Sequence, residues 1–69
     1  MIEKVPLHIA RKMAGLTQAE LGQAVGVSES TVLNWEKGRT EPTIGQAKKI
    51  GEVVGIYYDN IIFLTTTTV

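Results

Sequence analysis

Between Thr17 and Thr40 the chain gathers side chains that donate hydrogen bonds, accept them or carry fixed charge. Glu29, Ser30, Thr31 and Asn34 lie close together, and Lys37, Arg39 and Thr40 follow. Their chemistry is that of recognition. Hydroxyls and a carboxamide both donate and accept, a carboxylate accepts, and Lys and Arg attract anions. Bond-making chemistry lacks its parts. His8 is the single histidine, cysteine is absent and the carboxylates are scattered, so no nucleophile, base and orienting group assemble. The glycines occur singly, so none forms a phosphate-cradling loop. The expectation is a protein that is not an enzyme and has no catalytic residue, metal, cofactor or small-molecule ligand. His8 reads as a helix-surface residue.

The 69 residues suffice for one domain with one small core. Such domains are marginal, and a second subunit often adds buried surface. Without cysteine there are no disulfides or thiolate metal sites, which fits a reducing cytoplasm. No apolar run approaches a membrane span, and Met1 to Pro6 lacks the apolar core of a signal peptide. A cytoplasmic protein with no membrane partner is expected. The formal net charge is zero, which by itself argues against a polyanionic partner. Its distribution softens that objection. All seven Lys and Arg lie within Lys4 to Lys49; with the five acids of residues 1–49 that stretch carries +2, while Glu52 and Asp59 make residues 50–69 −2.

Gly15, Gly26, Gly38 and Gly55 each follow a stretch with helical spacing, as glycine does just past a helix end. Thr17-Gln18-Ala19-Glu20 reads as a capping box with Leu16 and Leu21 as its hydrophobic staple. Ser28 caps the next segment, flanked by Val27 and Val32, and Thr43-Ile44-Gly45-Gln46 is a further box entered through Pro42. These signals predict helices near Pro6–Ala14, Gln18–Val25, Glu29–Lys37 and Ile44–Val54. A short fifth is expected over Tyr58–Phe63, with a poor start because Tyr57 occupies the cap position. Apolar periodicity supplies one core: Ile9, Met13, Leu21, Val25, Val32, Trp35, Ala47, Ile50, Val54, Tyr58 and Ile61, with Ile44 also on the fourth stripe.

Only Gly26-Val27-Ser28 separates Val25 from Glu29, and so short a connection forces a sharp angle between the two helices. Gly22 stands where close approach of the third helix would require a small side chain; otherwise it would weaken its helix by ~1 kcal/mol relative to Ala.

Leu16 to Gly38 resembles the helix-turn-helix of the phage repressor and Cro family, also called the Xre family. The resemblance rests on Thr17-Gln18, Glu20-Leu21, Gly26-Val27-Ser28, Ser30-Thr31-Val32, Trp35-Glu36, Gly38 and Glu41-Pro42 at the family's spacing. Lys49-Ile50 and Gly55-Ile56 extend it to about Leu7–Phe63. It implies an all-α, compact five-helix domain over residues 1–69, with the helix-turn-helix at 17–37 and a dimerisation and tail region at about 56–69. It further implies that the third helix lies in the major groove of double-stranded DNA. A homodimer would sit on a near-palindromic operator with recognition helices ~34 Å apart.

On this resemblance Glu29, Ser30, Thr31 and Asn34 face base edges. Asn pairs with adenine through two hydrogen bonds, Ser or Thr donates or accepts, and a carboxylate accepts from cytosine N4. Glu29 departs from the neutral or basic residue common at its position, and it serves equally as an acid stabilising the helix dipole. Leu33 also departs, where a small polar residue is usual; it reads as a partly exposed leucine or a contact to a thymine methyl. Thr17 and Gln18, at a helix N-terminus suited to anions, and Lys37, Arg39 and Thr40 beyond the third helix are expected on the sugar-phosphate backbone. Arg11 and Glu36 match a structural ion pair of the family, Lys12 is a possible further contact, and Trp35 is expected in the core.

Ile61, Ile62, Phe63 and Leu64 are more apolar than a small core needs, and Thr65 to Thr68 favour extended chain. Ile61, Ile62 and Phe63 are expected at a dimer interface, with a short strand pairing either with Met1–Val5 or with another subunit. The functional expectation is a Cro-like repressor, of phage, prophage or bacterial origin, that blocks polymerase by occupying its operator in the nucleoid. The alternative is an antitoxin that uses the same fold to bind a toxin or another protein.

Overall fold

The computed structural model describes residues 4–63. Four α-helices, α1 (Leu7–Met13), α2 (Gln18–Val25), α3 (Glu29–Glu36) and α4 (Ile44–Val54), form the body. A short strand β1 (Val5–Pro6) precedes them; a 3-10 turn (Tyr58–Asn60) and a strand β2 (Ile61–Ile62) follow.

Local chemistry sets the helix starts. At α2 the Thr17 hydroxyl accepts from the Glu20 amide at 3.0 Å, and the Glu20 carboxylate accepts from the Thr17 amide at 2.9 Å. At α4 the Thr43 hydroxyl accepts from the Gln46 amide at 3.1 Å, and the Gln46 side-chain oxygen accepts from the Thr43 amide at 2.8 Å. Each box satisfies two amides that a helix start leaves without partners. The ends of α2 and α4 share one device. Gly26 and Gly55 sit in the left-handed region at φ 92° and 77°, where a Cβ would be strained. The amides of Gly26 and Val27 both donate to the Gly22 carbonyl, as those of Gly55 and Ile56 donate to Gly51.

The core is Leu7, Leu21, Val32, Trp35, Ile50 and Ile61, with Leu16, Val25, Val27, Val54 and Phe63 packed against it. Leu21, Val32 and Ile50 are fully buried.

Several expectations are corrected. There are four α-helices, not five: the segment expected as a helix over Tyr58–Phe63 is one 3-10 turn followed by β2. Tyr57 provides no side-chain cap, and β-branched Ile61 and Ile62 pair in parallel with Val5 and Pro6. The inward face of α1 is also rotated. Ile9 is exposed and Met13 is 69% exposed, whereas Leu7, Ala10 and Arg11 are buried. Spacings of three and four fit both faces, and Arg11 turning inward to a partner decides between them. Ile44, in the first turn of α4, is 70% exposed rather than part of the core stripe. Tyr58 is only half-buried, and the ends of α1 and α3 fall about one residue short of expectation.

Candidate nucleic-acid interface

The geometry of α2 and α3 comes from what lies between them. Gly26 reverses the chain, and Ser28 opens α3 by accepting from the Thr31 amide at 3.1 Å. The turn rests directly on α2: a Cβ on Gly22 would lie 2.7 Å from the Val27 carbonyl oxygen and 3.1 Å from that of Ser28. Gly22 therefore sets how closely the turn approaches, and with it the angle of α3. Gly51 repeats the arrangement on α4, where a Cβ would lie 2.7 Å from the Ile56 carbonyl oxygen. Sequence reading missed Gly51. The signal was present, since Gly22 and Gly26-Val27 have the same spacing as Gly51 and Gly55-Ile56.

With Val32 and Trp35 buried, α3 turns a second face outward. Glu29 and Ser30 are exposed in its first turn, Leu33 and Asn34 are half-buried one turn on, and Lys37, Arg39 and Thr40 are exposed past its end. Residues four apart are neighbours on a helix, so Glu29, Leu33 and Lys37 form one row and Ser30 and Asn34 another. Thr31 differs. It is half-buried, and its hydroxyl lies 3.0 Å from the Ser28 hydroxyl, so part of its hydrogen-bonding capacity is used within the protein.

A buried polar cluster holds this face on the domain. Arg11 Nε donates to Glu36 Oε2 at 2.6 Å and Nη2 to Oε1 at 3.3 Å. Arg11 Nη1 donates to the Leu16 carbonyl at 2.8 Å, and Gln18 Nε2 donates to Glu36 Oε1 at 2.9 Å. The side chains of Arg11 and Glu36 are only 10% and 7% exposed. The cluster ties α1 and the start of α2 to the carboxylate of the last residue of α3, and Arg11 also holds the turn that follows α1. Gln18, expected on the sugar-phosphate backbone, thus spends one donor internally. Around it, the amides of Gln18 and Ala19 have no intrahelical acceptor, because they lie in the first turn of α2.

The pattern is a short helix, a three-residue turn and a second helix whose outward face is held on the domain by a buried polar cluster. A helix-turn-helix family model matches residues 7–60. The chain belongs to the Xre/Cro-type helix-turn-helix family. Two relatives of this helix-turn-helix chain carry the name uncharacterized HTH-type transcriptional regulator. The one from Methanothermobacter thermautotrophicus is 41% identical over 54 residues, covering 78% of each chain. The one from Methanocaldococcus jannaschii is 34% identical over 58 residues, covering 84% of this chain and 88% of its own. No solved structure matches significantly.

The remaining surfaces differ in character. Ile61, expected at a dimer interface, is a core residue at 5% exposure. Its neighbour Ile62 is 38% exposed, and Phe63 is half-buried against the core. Leu64 and the threonines lie outside the described residues, as do Met1 to Glu3 of the expected strand partner. An open groove of about 520 Å³ is lined by Lys48, Gly51, Glu52, Tyr57 and Tyr58, with Lys48 Nζ 5.8 Å from the Tyr58 ring centroid. Among the described residues no helix is long and apolar enough to cross a membrane, and no cluster of His, Asp and Glu could hold a metal.

Proposed function

We propose that the protein is a sequence-specific, DNA-binding transcriptional regulator of the Cro-like repressor kind, acting as a homodimer on a near-palindromic operator. The observation that carries this reading is the outward face of α3, which presents Glu29, Ser30 and Asn34 with Lys37 and Arg39 past its end, on a helix fixed by Gly22 and by Glu36. Helices of this type place their first residues against base edges in the major groove. Glu29, Ser30 and Asn34 are the base readers, with Thr31 contributing what its bond to Ser28 leaves free. Thr17, Gln18, Lys37, Arg39 and Thr40 position the domain on the sugar-phosphate backbone. The names carried by both relatives agree with a regulatory role. Dimer contact falls on Ile62 and Phe63, and repression follows from occlusion of polymerase, in the compartment that holds the DNA.

Footprinting on the DNA upstream of its own gene, across a salt series, tests this function. A discrete symmetric footprint is expected. Asn34→Ala should relax sequence preference at one position per half-site, costing about 1–3 kcal/mol there. Arg39→Ala should weaken binding to all sequences and reduce the salt slope by about one. Weak, diffuse binding to every fragment would refute the reading.

A further inference from the structure

We propose that Glu29 is the residue that sets base specificity at the leading edge of α3, selecting a cytosine through its exocyclic amine over guanine and thymine, which offer it no donor, and over adenine, whose amine lies beside the N7 acceptor. The proposal rests on the DNA-binding reading of α3 and names what that helix selects. It starts from a contrast between two acids near helix starts. Glu20, third in α2, spends its carboxylate on the Thr17 amide at 2.9 Å. Glu29, first in α3, is exposed, and its carboxylate has neither a hydrogen bond nor an ion pair among the described residues. The cap of α3 is complete without it. Ser28 Oγ accepts from the Thr31 amide, and the residue at the position of the box carboxylate is Thr31, whose hydroxyl is 3.0 Å from Ser28 Oγ. Lys37 and Arg39 lie beyond the opposite end of the helix.

An uncommitted carboxylate on the leading turn of a helix entering the major groove has consequences in both directions. It accepts hydrogen bonds and cannot donate them, so it matches cytosine N4–H₂, meets only acceptors at the O6 and N7 of guanine and the O4 of thymine, and gains the N6–H₂ of adenine only beside the repelling N7. Phosphates repel it on every sequence. Glu29 therefore lowers affinity for all DNA and recovers the loss where a cytosine stands opposite, which is discrimination by penalty as well as by contact. Replacing the carboxylate by a carboxamide changes this logic with almost no change in shape. Gln both donates and accepts, and pairs with adenine N6 and N7.

The test is selection from a pool of randomised DNA duplexes with the wild-type chain and with Glu29→Gln, at one fixed salt concentration, alongside thermal melting of both proteins. Wild type should enrich cytosine at one position of each half-site. Glu29→Gln should enrich adenine at that same position and leave the other positions unchanged. Its affinity for the cytosine operator should fall about tenfold, and its affinity for unrelated duplex should rise. Identical enriched sequences from the two proteins would overturn the proposal while leaving the DNA-binding reading intact. A changed melting temperature with unchanged base preference would do the same, assigning Glu29 to the helix dipole alone. If wild type enriches no sequence at all, the DNA-binding reading and this proposal fall together.

Discussion

At the scale of single residues, Glu36 on α3 is a central side chain of the domain, because α1 and α2 both bond to it. Its carboxylate accepts two of the three Arg11 bonds and one from the Gln18 side chain, at 7% side-chain exposure. A buried pair of this kind contributes little relative to a well-packed apolar substitute, but breaking it strands a charge. Arg11→Met should therefore cost about 3–5 kcal/mol in urea unfolding, and Arg11→Met with Glu36→Leu together should recover most of that loss. The Arg11–Glu36 pairing was legible only through family resemblance, since nothing in the spacing of two residues 25 apart announces a contact. The Gln18 bond was not legible at all. Gln18 in a first turn suits an anion as well as it suits Glu36, and only the position of α3 decides which of its atoms is spent.

Whole elements were far more legible. The boxes at Thr17 and Thr43 and the Ser28 cap are local hydrogen-bonding patterns, so they can be read within four residues and occur where expected. Local pattern also marked Gly22 as unusual, and the tertiary structure supplies the reason. Gly22→Ala gains ~1 kcal/mol of helix propensity but drives a methyl to 2.7 Å from the Val27 carbonyl oxygen. Overpacking of about 1–3 kcal/mol should prevail, giving a lower melting temperature, and displacement of the turn should weaken DNA binding further than stability alone explains. Gly45, on α4, is the control: a methyl there would meet nothing within 4 Å, so Gly45→Ala should raise stability by about 0.5–1 kcal/mol. The fifth helix failed for a reason at the same scale. A segment with no cap and two adjacent isoleucines has little local support for a helix, and a partner strand was available.

Across the whole molecule, the two ends of the described chain meet. Val5 pairs with Ile61 and Pro6 with Ile62, so β1 and β2 close the helical body. Alternation along a strand sends neighbouring side chains to opposite faces, which separates two residues the sequence presents as equals. Ile61 is buried and Ile62 is exposed. Ile61→Ala should cost about 2–5 kcal/mol of unfolding free energy. Ile62→Glu should shift the melting temperature by no more than about 2–4 °C, because an exposed substitution changes stability by less than ~0.5 kcal/mol. It should instead shift sedimentation toward monomer and weaken operator binding. Unchanged sedimentation and DNA affinity for Ile62→Glu would place the dimer contact elsewhere.

Residue types and short-range spacing alone settled the four main helices, the caps of α2, α3 and α4, the sharp turn at Gly26 and the absence of disulfides, because each depends on residues at most a few positions apart. Tertiary structure decided which face of α1 points inward, that Ile61–Ile62 is strand rather than helix, and that Gln18 serves Glu36. Those outcomes compare alternatives of nearly equal local energy. Ile9 and Met13 satisfy helical spacing as well as Leu7 and Ala10 do, and only the burial of Arg11 against a carboxylate 25 residues away separates them.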